Sequence, residues 1–190
     1  MNQTFIQGKK FNRIDYSKKL KIKGEYENCA FSDCIFSNVD LSKTSFADCS
    51  FRNCDFSMAI FSDTTLRDTK FKDCKMIGLH FEDCNKILFS PVFQGCQLNF
   101  SSFFKMSLKN VIIGDCILQE VDFTEADLSG LTFEHCDFEG AIFEHTVLEK
   151  VDLRTSINYS IDPELNRIHK AKFSKEGVLG LLDKYDIDIF

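Results

Sequence analysis

Large apolar residues recur at every fifth position along most of the chain. One series runs from Tyr26 to Phe81, a second runs from Phe93 to Leu153, and every position in both holds Phe, Tyr, Leu, Ile or Met. An α-helix brings its apolar face round about every 3.6 residues, and a strand does so at every second residue. Because neither element has a period of five, the pattern predicts a repeat architecture built from pentapeptides.

A second set of mostly small residues lies two positions before each large one. Residues two apart share a face of an extended segment, so both sets are expected to point inward and the other three positions of each repeat outward. The second set contains all nine cysteines: Cys29, Cys34, Cys49, Cys54, Cys74, Cys84, Cys96, Cys116 and Cys136. The four histidines lie outside the inward slots, so thiol and imidazole groups cannot converge on one metal ion. We expect packed thiols, and neither a metal nor a cofactor.

The two series are out of phase with each other. Phe81 and Phe93 are twelve residues apart, which is two repeats plus two residues. We therefore predict a bulge over residues 85–91. After correction for it, Cys34, Cys54, Cys74, Cys96, Cys116 and Cys136 fall in one column at intervals of twenty. The bulge residues singled out as a possible site are Asn85, Lys86, Ile87, Ser90 and Pro91.

The pentapeptides CAFSD, CIFSN, CSFRN, ADLSG and CDFEG resemble the pentapeptide-repeat family, whose pattern is A(D/N)LXX. The resemblance covers residues 26–157. It implies an all-β solenoid, a right-handed quadrilateral β-helix with four pentapeptides in each turn. Residues twenty apart would then stack at roughly the 4.8 Å spacing between strands. Residues 1–25 keep the period imperfectly and are expected to form an N-terminal cap.

The period fails after Leu153, and residues 158–190 are expected to form a C-terminal cap. Asp162 and Ser174 each precede a predicted helical turn, and the second turn is expected to be a short α-helix over residues 175–185. Its apolar stripe and the tail after it need cover. The end of the coil would cover part of the helix, and a second copy of the chain would cover the rest. The predicted homodimer interface comprises Phe173, Val178, Leu179, Leu181, Leu182, Tyr185, Ile187, Ile189 and Phe190.

The stretch IDPELNRIHKAKFSKEGVLGLL resembles the C-termini of the microcin B17 immunity protein and Qnr-type quinolone-resistance proteins. That resemblance implies a C-terminal homodimer whose acidic rod imitates duplex DNA and binds DNA gyrase or topoisomerase IV. The chain lacks the long loops between coils that the larger Qnr proteins have. Protection from a drug therefore follows less directly from the resemblance than topoisomerase binding does.

Acidic residues are concentrated next to the expected cap. The net charge of the chain is −6, yet residues 115–153 contain eleven carboxylates and one base, Lys150. All eleven lie in outward slots, at a density that approaches the one charge per about 1.7 Å of duplex DNA. They form the predicted topoisomerase-binding surface: Asp115, Glu120, Asp122, Glu125, Asp127, Glu134, Asp137, Glu139, Glu144, Glu149 and Asp152.

Other functions are less well supported by the sequence. The seven basic residues among residues 1–25 are interpreted as a solvated cap, so no direct binding of nucleic acid is expected. No apolar run is long enough to cross a membrane, and no secretion signal is evident, which favours the cytoplasm. We expect a protein that is not an enzyme, unless a cleft lies beside the bulge. The alternative to topoisomerase binding is a scaffold for another protein, with incidental acidity.

Overall fold

Short parallel strands, turns and isolated β-bridges wind the chain into a four-sided coil. The computed structural model describes residues 4–18 and 22–189. We name the four faces by the large residues of one coil: the first carries Tyr26, the second Phe31, the third Phe36 and the fourth Leu41. The strands are β1 (Phe5–Gln7), β2 (Lys10–Asn12), β3 (Glu25–Glu27), β4 (Ala30–Ser32), β5 (Ser45–Ala47), β6 (Ser50–Arg52), β7 (Thr65–Arg67), β8 (Lys70–Lys72), β9 (Val92–Gln94), β10 (Ile112–Gly114) and β11 (Phe133–Glu134).

The strands form parallel sheets on the first and second faces. On the first face the order is β1-β3-β5-β7, and on the second it is β2-β4-β6-β8-β9-β10-β11. Isolated parallel bridges, such as Ser102 with Asp122, connect the coils on the third and fourth faces. Phe31 pairs with Phe51, so one coil takes twenty residues. The expected quadrilateral β-helix is therefore confirmed.

Each corner of the coil is formed by the residue two positions after the large one. At most corners this residue takes the left-handed backbone conformation, as Asn38 does with a φ of 58°. Its N–H donates to the next coil, here to the Ser57 carbonyl at 3.0 Å. Asn, Asp and Gly adopt this conformation at least cost, because the Cβ of other residues crowds the backbone. The corners thus leave the residues on either side of each large one facing solvent.

The interior is filled by stacked columns of large side chains. On the second face the ring of Phe31 lies 4.7 Å from Phe11 and 4.8 Å from Phe51, with the rings nearly parallel. All nine cysteines are buried and free. Burial raises the pKa of Cys49 and of Cys136 to about 11, so these thiols stay protonated at neutral pH. The cysteines therefore act as small core residues.

Two extra residues enter the coil on the first face, next to β7. The Asn85 N–H donates to the Thr64 carbonyl, and a 3-10 helix, Lys86–Leu88, then loops outward. Phe89 returns to the interior, and Phe71 pairs with Phe93 across this longer coil. Neighbouring columns continue in register, since Lys75 bridges to Gln97 on the third face.

The ladder extends beyond residues 26–157 at both ends. Strands β1 and β2 pair in register with β3 and β4, and a bridge from Asp152 reaches Lys172. The chain then forms two 3-10 helices, Gly177–Leu181 and Asp183–Tyr185, where an α-helix was expected. Two glycines allow this cap to pack closely against Tyr159, because a Cβ on Gly177 or Gly180 would overlap Tyr159.

Candidate protein-binding surface

The eleven acids of residues 115–153 divide between two sides of the rod. Six lie on the first and second faces or at their outer corners: Asp115, Glu125, Asp127, Glu134, Glu149 and Asp152. The other five lie on the third and fourth faces and at the corner between them, and we call them the acidic edge: Glu120, Asp122, Asp137, Glu139 and Glu144. The two groups differ in their partners.

Most acids of the first and second faces lie close to a basic side chain. Asp152 is the strongest case, because both Arg154, at 2.8 Å, and Lys172, at 3.3 Å, contact its Oδ2 atom. The hydrogen bond from Arg154 holds the pKa of Asp152 well below its usual range, and Asp152 is 8% exposed. The remaining pairs are Lys105–Glu125 at 3.2 Å, Lys109–Asp127 at 3.0 Å, Arg167–Glu149 at 2.6 Å and His135–Asp115 at 3.3 Å.

No carboxylate of the acidic edge forms a salt bridge with any residue that the structure describes. Neutral amides hold two of them in place. Gln119 donates to Asp137 at 2.7 Å and to Glu139 at 3.2 Å, and Asn158 donates to Asp137 at 2.8 Å. A neutral donor positions a carboxylate without cancelling its charge. The acidic edge therefore keeps a concentrated negative charge. On the first and second faces, by contrast, basic side chains neutralise most of the acids.

The amide residues of this network were not singled out from the sequence. Asn99 donates to Gln119 at 3.1 Å, and Glu139 follows in the same column of the third face. These three residues are twenty apart. The interval of twenty residues that aligns the cysteines also aligns these three outward residues in one polar column. Applying that interval to the outward positions would have identified the column from the sequence.

The bulge adjoins a shallow depression on the first face. This depression of about 210 Å³ lies between Phe5 and Leu88, and its lining includes Glu25, Glu27 and Arg67. The bulge also presents Ile87, which is 89% exposed. Asn85 accepts from the Ile87 N–H, Ser90 bonds to Asp68, and Pro91 is buried. Lys86 lies in the outward turn. No histidine or cysteine lines the depression among the residues described, so it offers no nucleophile with an adjacent imidazole base.

The apolar residues assigned to a dimer interface are only partly in contact with the rod. Phe173 packs on Tyr159 with ring centroids 5.8 Å apart, Leu181 packs against the core, and Leu182 is half-buried. Ser174 accepts from the Gly177 N–H at 2.8 Å. Phe190 lies outside the described residues. The others are 40–55% exposed: Val178, Leu179, Tyr185, Ile187 and Ile189.

The described part of the chain contains no group of three or more His, Cys, Asp or Glu that could hold a metal ion. None of its helices has the length and apolar character that crossing a membrane requires.

Comparison with known families agrees with the coil. A family model described as a pentapeptide repeat region matches residues 25–90, and one described as pentapeptide repeats in eight copies matches residues 116–154. This chain belongs to the pentapeptide-repeat family. The first match ends within the bulge, and residues 91–115 lie between the two matches. No curated protein matches this pentapeptide-repeat protein.

Solved pentapeptide-repeat structures share the fold. A trypsin-treated variant of QnrB1, a plasmid-mediated fluoroquinolone resistance protein, is 19% identical with a TM-score of 0.58, over 98% of this chain and 92% of that one. HetL, involved in heterocyst differentiation regulation in the cyanobacterium Nostoc sp. strain PCC 7120, is 12% identical with a TM-score of 0.52. That match covers 90% of this chain and 87% of HetL. At these identities the likeness concerns the fold alone.

Proposed function

We propose that this protein is an acidic rod that binds a type II topoisomerase, DNA gyrase or topoisomerase IV, where the enzyme holds duplex DNA. It acts in the cytoplasm without catalysing a reaction. Binding modulates the enzyme or protects it from a toxin or a quinolone. The observation that carries this proposal is the set of five carboxylates on the acidic edge that have no cationic partner among the described residues.

The charge density of the acidic edge supports imitation of DNA. Its five carboxylates lie on two successive coils, from Leu118 to Glu144. Two coils rise by roughly 10 Å, so the edge carries about one charge per 2 Å of rod. Duplex DNA carries about one charge per 1.7 Å. A protein groove lined with Lys and Arg for the DNA backbone could therefore accept this edge.

The C-terminal cap supports a homodimer. The exposed apolar side chains Val178, Leu179, Ile187 and Ile189 follow the last coil directly. Twofold pairing there would bury them and place the acidic edges of two chains near the centre of a longer rod. Gly180→Ala tests this arrangement, because its Cβ would push the cap off Tyr159. We expect the variant to be monomeric by sedimentation, with the rod still folded by circular dichroism. A dimeric variant would contradict a seam at the cap.

The experiment that tests the function is a gyrase supercoiling assay with the purified protein titrated in, with and without a quinolone. We expect inhibition that weakens as salt rises, because ionic contacts are screened, or relief of drug-trapped cleavage. The edge-charge variant carries Glu120→Gln, Asp122→Asn, Asp137→Asn, Glu139→Gln and Glu144→Gln. It should lose at least tenfold in potency.

A comparison variant neutralises three acids that already have cationic partners. It carries Glu125→Gln, Asp127→Asn and Glu149→Gln, and it should retain nearly full potency. A wild-type protein without effect on gyrase and topoisomerase IV at micromolar excess would contradict the proposal. The alternative is then a scaffold for a different protein, with the same fold.

A further inference from the structure

Exposed isoleucines lie among the carboxylates of the acidic edge. Ile117 and Ile157 lie on the third face and are 37% and 56% exposed, and Ile142 lies on the fourth face and is 45% exposed. Side chains in these outward slots contribute little to the core. Apolar residues grouped on a surface mark contact sites for other proteins more often than isolated ones do.

The isoleucines and aspartates alternate in two directions. Along the third face, β-bridges place Ile117, Asp137 and Ile157 on successive coils, and on the fourth face Asp122 precedes Ile142. Around the corner, Ile117 shares a coil with Asp122, and Asp137 shares the next coil with Ile142. Glu120 lies at the corner, and its side chain packs against Gly140 one coil later, where a Cβ would lie 3.0 Å from the Glu120 Cγ. We call this pattern the checkerboard, comprising Ile117, Asp122, Asp137, Ile142 and Ile157.

We propose that the checkerboard is the surface that contacts the partner, and that the partner is a protein surface on which Lys or Arg alternates with apolar side chains. This inference rests on the proposed function and assigns it to one side of the rod. The described residues provide no cation to the acidic edge, so the positive charges that complement it would have to come from the partner. A groove that recognises phosphates alone would gain nothing from the isoleucine rows, whereas a mixed surface would bury them.

The second face provides a matched comparison. It also has an exposed isoleucine, Ile112 at 60%, and an exposed acid without a salt bridge to a described residue, Glu134. These two do not alternate, because Ile112 lies beside Val92 and Glu134 beside Gly114 in the ladder. The double variant Ile112→Thr/Glu134→Gln therefore removes the same chemistry without touching the checkerboard.

The first measurement is the affinity of the full-length variants for DNA gyrase across a range of salt concentrations. Ile117→Thr/Ile142→Thr keeps β-branched residues in the bridges and removes apolar contact. We expect it to raise Kd about tenfold at every salt concentration without changing the salt slope. The edge-charge variant should raise Kd mostly at low salt and flatten the slope. The second-face variant should stay within twofold of wild type; losses equal to those of the isoleucine variant would overturn the proposal.

A second probe separates this inference from the proposed function. The full chain is titrated by NMR with a peptide of alternating Lys and Leu and with one of alternating Lys and Gly. Preferential binding of the Lys-Leu peptide, with shifts concentrated at Ile117 and Ile142, supports the checkerboard even if gyrase does not bind. In that case the topoisomerase proposal fails and the surface is assigned to another protein. Equal binding of both peptides, or shifts spread over the first and second faces, overturns the inference.

Discussion

Corner residues differ between the two halves of the rod, which the bulge at residues 85–91 separates. From residue 28 to residue 78, eight of the eleven left-handed corner residues are Asn or Asp, and another is Gly78. From residue 95 to residue 150, the eleven left-handed corners include one Asp and three Gly, and the other seven are Phe, Lys, Glu or His. The left-handed conformation costs an ordinary residue roughly 1–2 kcal/mol.

The difference indicates that the second half accepts strain in order to present particular side chains. Phe100 and Glu120 form successive corners between the third and fourth faces, with φ values of 60° and 53°. Asn or Gly would satisfy the backbone there at lower cost. Strained conformations are concentrated where a surface has a function besides folding. The corner residues of the second half are therefore consistent with the proposed partner surface there, although Ile and Asp also alternate in the first half, where Ile35 bridges to Asp55 and Asp40 to Ile60.

The two halves also differ inside, and the largest expected effect concerns the aromatic column. Phe51 stacks between Phe31 and Phe71 at 4.8 and 4.9 Å, whereas Phe133, in the same column, is paired with Ile113 and followed by Leu153. Phe51→Leu removes two stacked pairs, each of which contributes about 0.5–1.5 kcal/mol. We expect it to cost about 1–3 kcal/mol more than Phe133→Leu in urea unfolding. Equal losses would show that the halves do not differ in this respect.

An exchange of corner residues tests the strain itself. Asn38 and Phe100 lie in one corner column, and each N–H donates to the next coil at 3.0 Å. Phe100→Asn should raise the free energy of unfolding by about 0.5–1 kcal/mol, and Asn38→Phe should lower it by a similar amount. Urea unfolding of both variants measures the two effects. Changes of the same sign in both variants would contradict the assignment of strain to the second half.

The smallest expected effect is the difference in stability between neutralising an acid that has a salt bridge and neutralising one that has none, both in the second half. Asp152 and Asp122 both accept a backbone N–H two residues later, at 3.3 and 2.8 Å, but only Asp152 contacts Arg154 and Lys172. At pH 7 Asp152→Asn should therefore destabilise more than Asp122→Asn. The pKa of Asp152 is lowered in the folded state, so its contribution is complete above the ordinary Asp pKa of about 3.9.

That contribution should disappear as the pH falls through the lower, folded pKa. The difference between wild type and Asp152→Asn is therefore constant near neutral pH and shrinks below about pH 4. Thermal unfolding from pH 7 to pH 3 follows it. A difference that grows in acid would mean that Arg154 and Lys172 do not stabilise the carboxylate.

The interior of the rod could be predicted from the sequence because its chemistry repeats strictly. A large residue at every fifth position and cysteines twenty apart define which side chains stack, and the offset between Phe81 and Phe93 defines the extra length of one coil. The left-handed corners were not predicted, although Asn or Asp stands two positions after most of the large residues in the first half.

The division of the acids could not be predicted by counting charges. Lys105 pairs with Glu125 and Arg167 with Glu149, at separations of twenty and eighteen residues. Such pairs depend on which long side chain reaches across to the next coil. In the C-terminal cap an α-helix was predicted over residues 175–185, and the chain forms two 3-10 helices there. The packing of Gly177 and Gly180 on Tyr159 is a contact that no periodicity within residues 175–185 records.

The reactivity of the buried thiols should measure how readily each part of the rod opens. Each coil contacts only its neighbours, so opening should proceed from the ends and expose one coil at a time. Cys29 and Cys136 lie near opposite ends of the cysteine set, while Cys74 and Cys84 lie near the middle, and all four are buried and free. The order in which an alkylating reagent modifies these thiols would therefore trace how the rod comes apart, without any label being introduced.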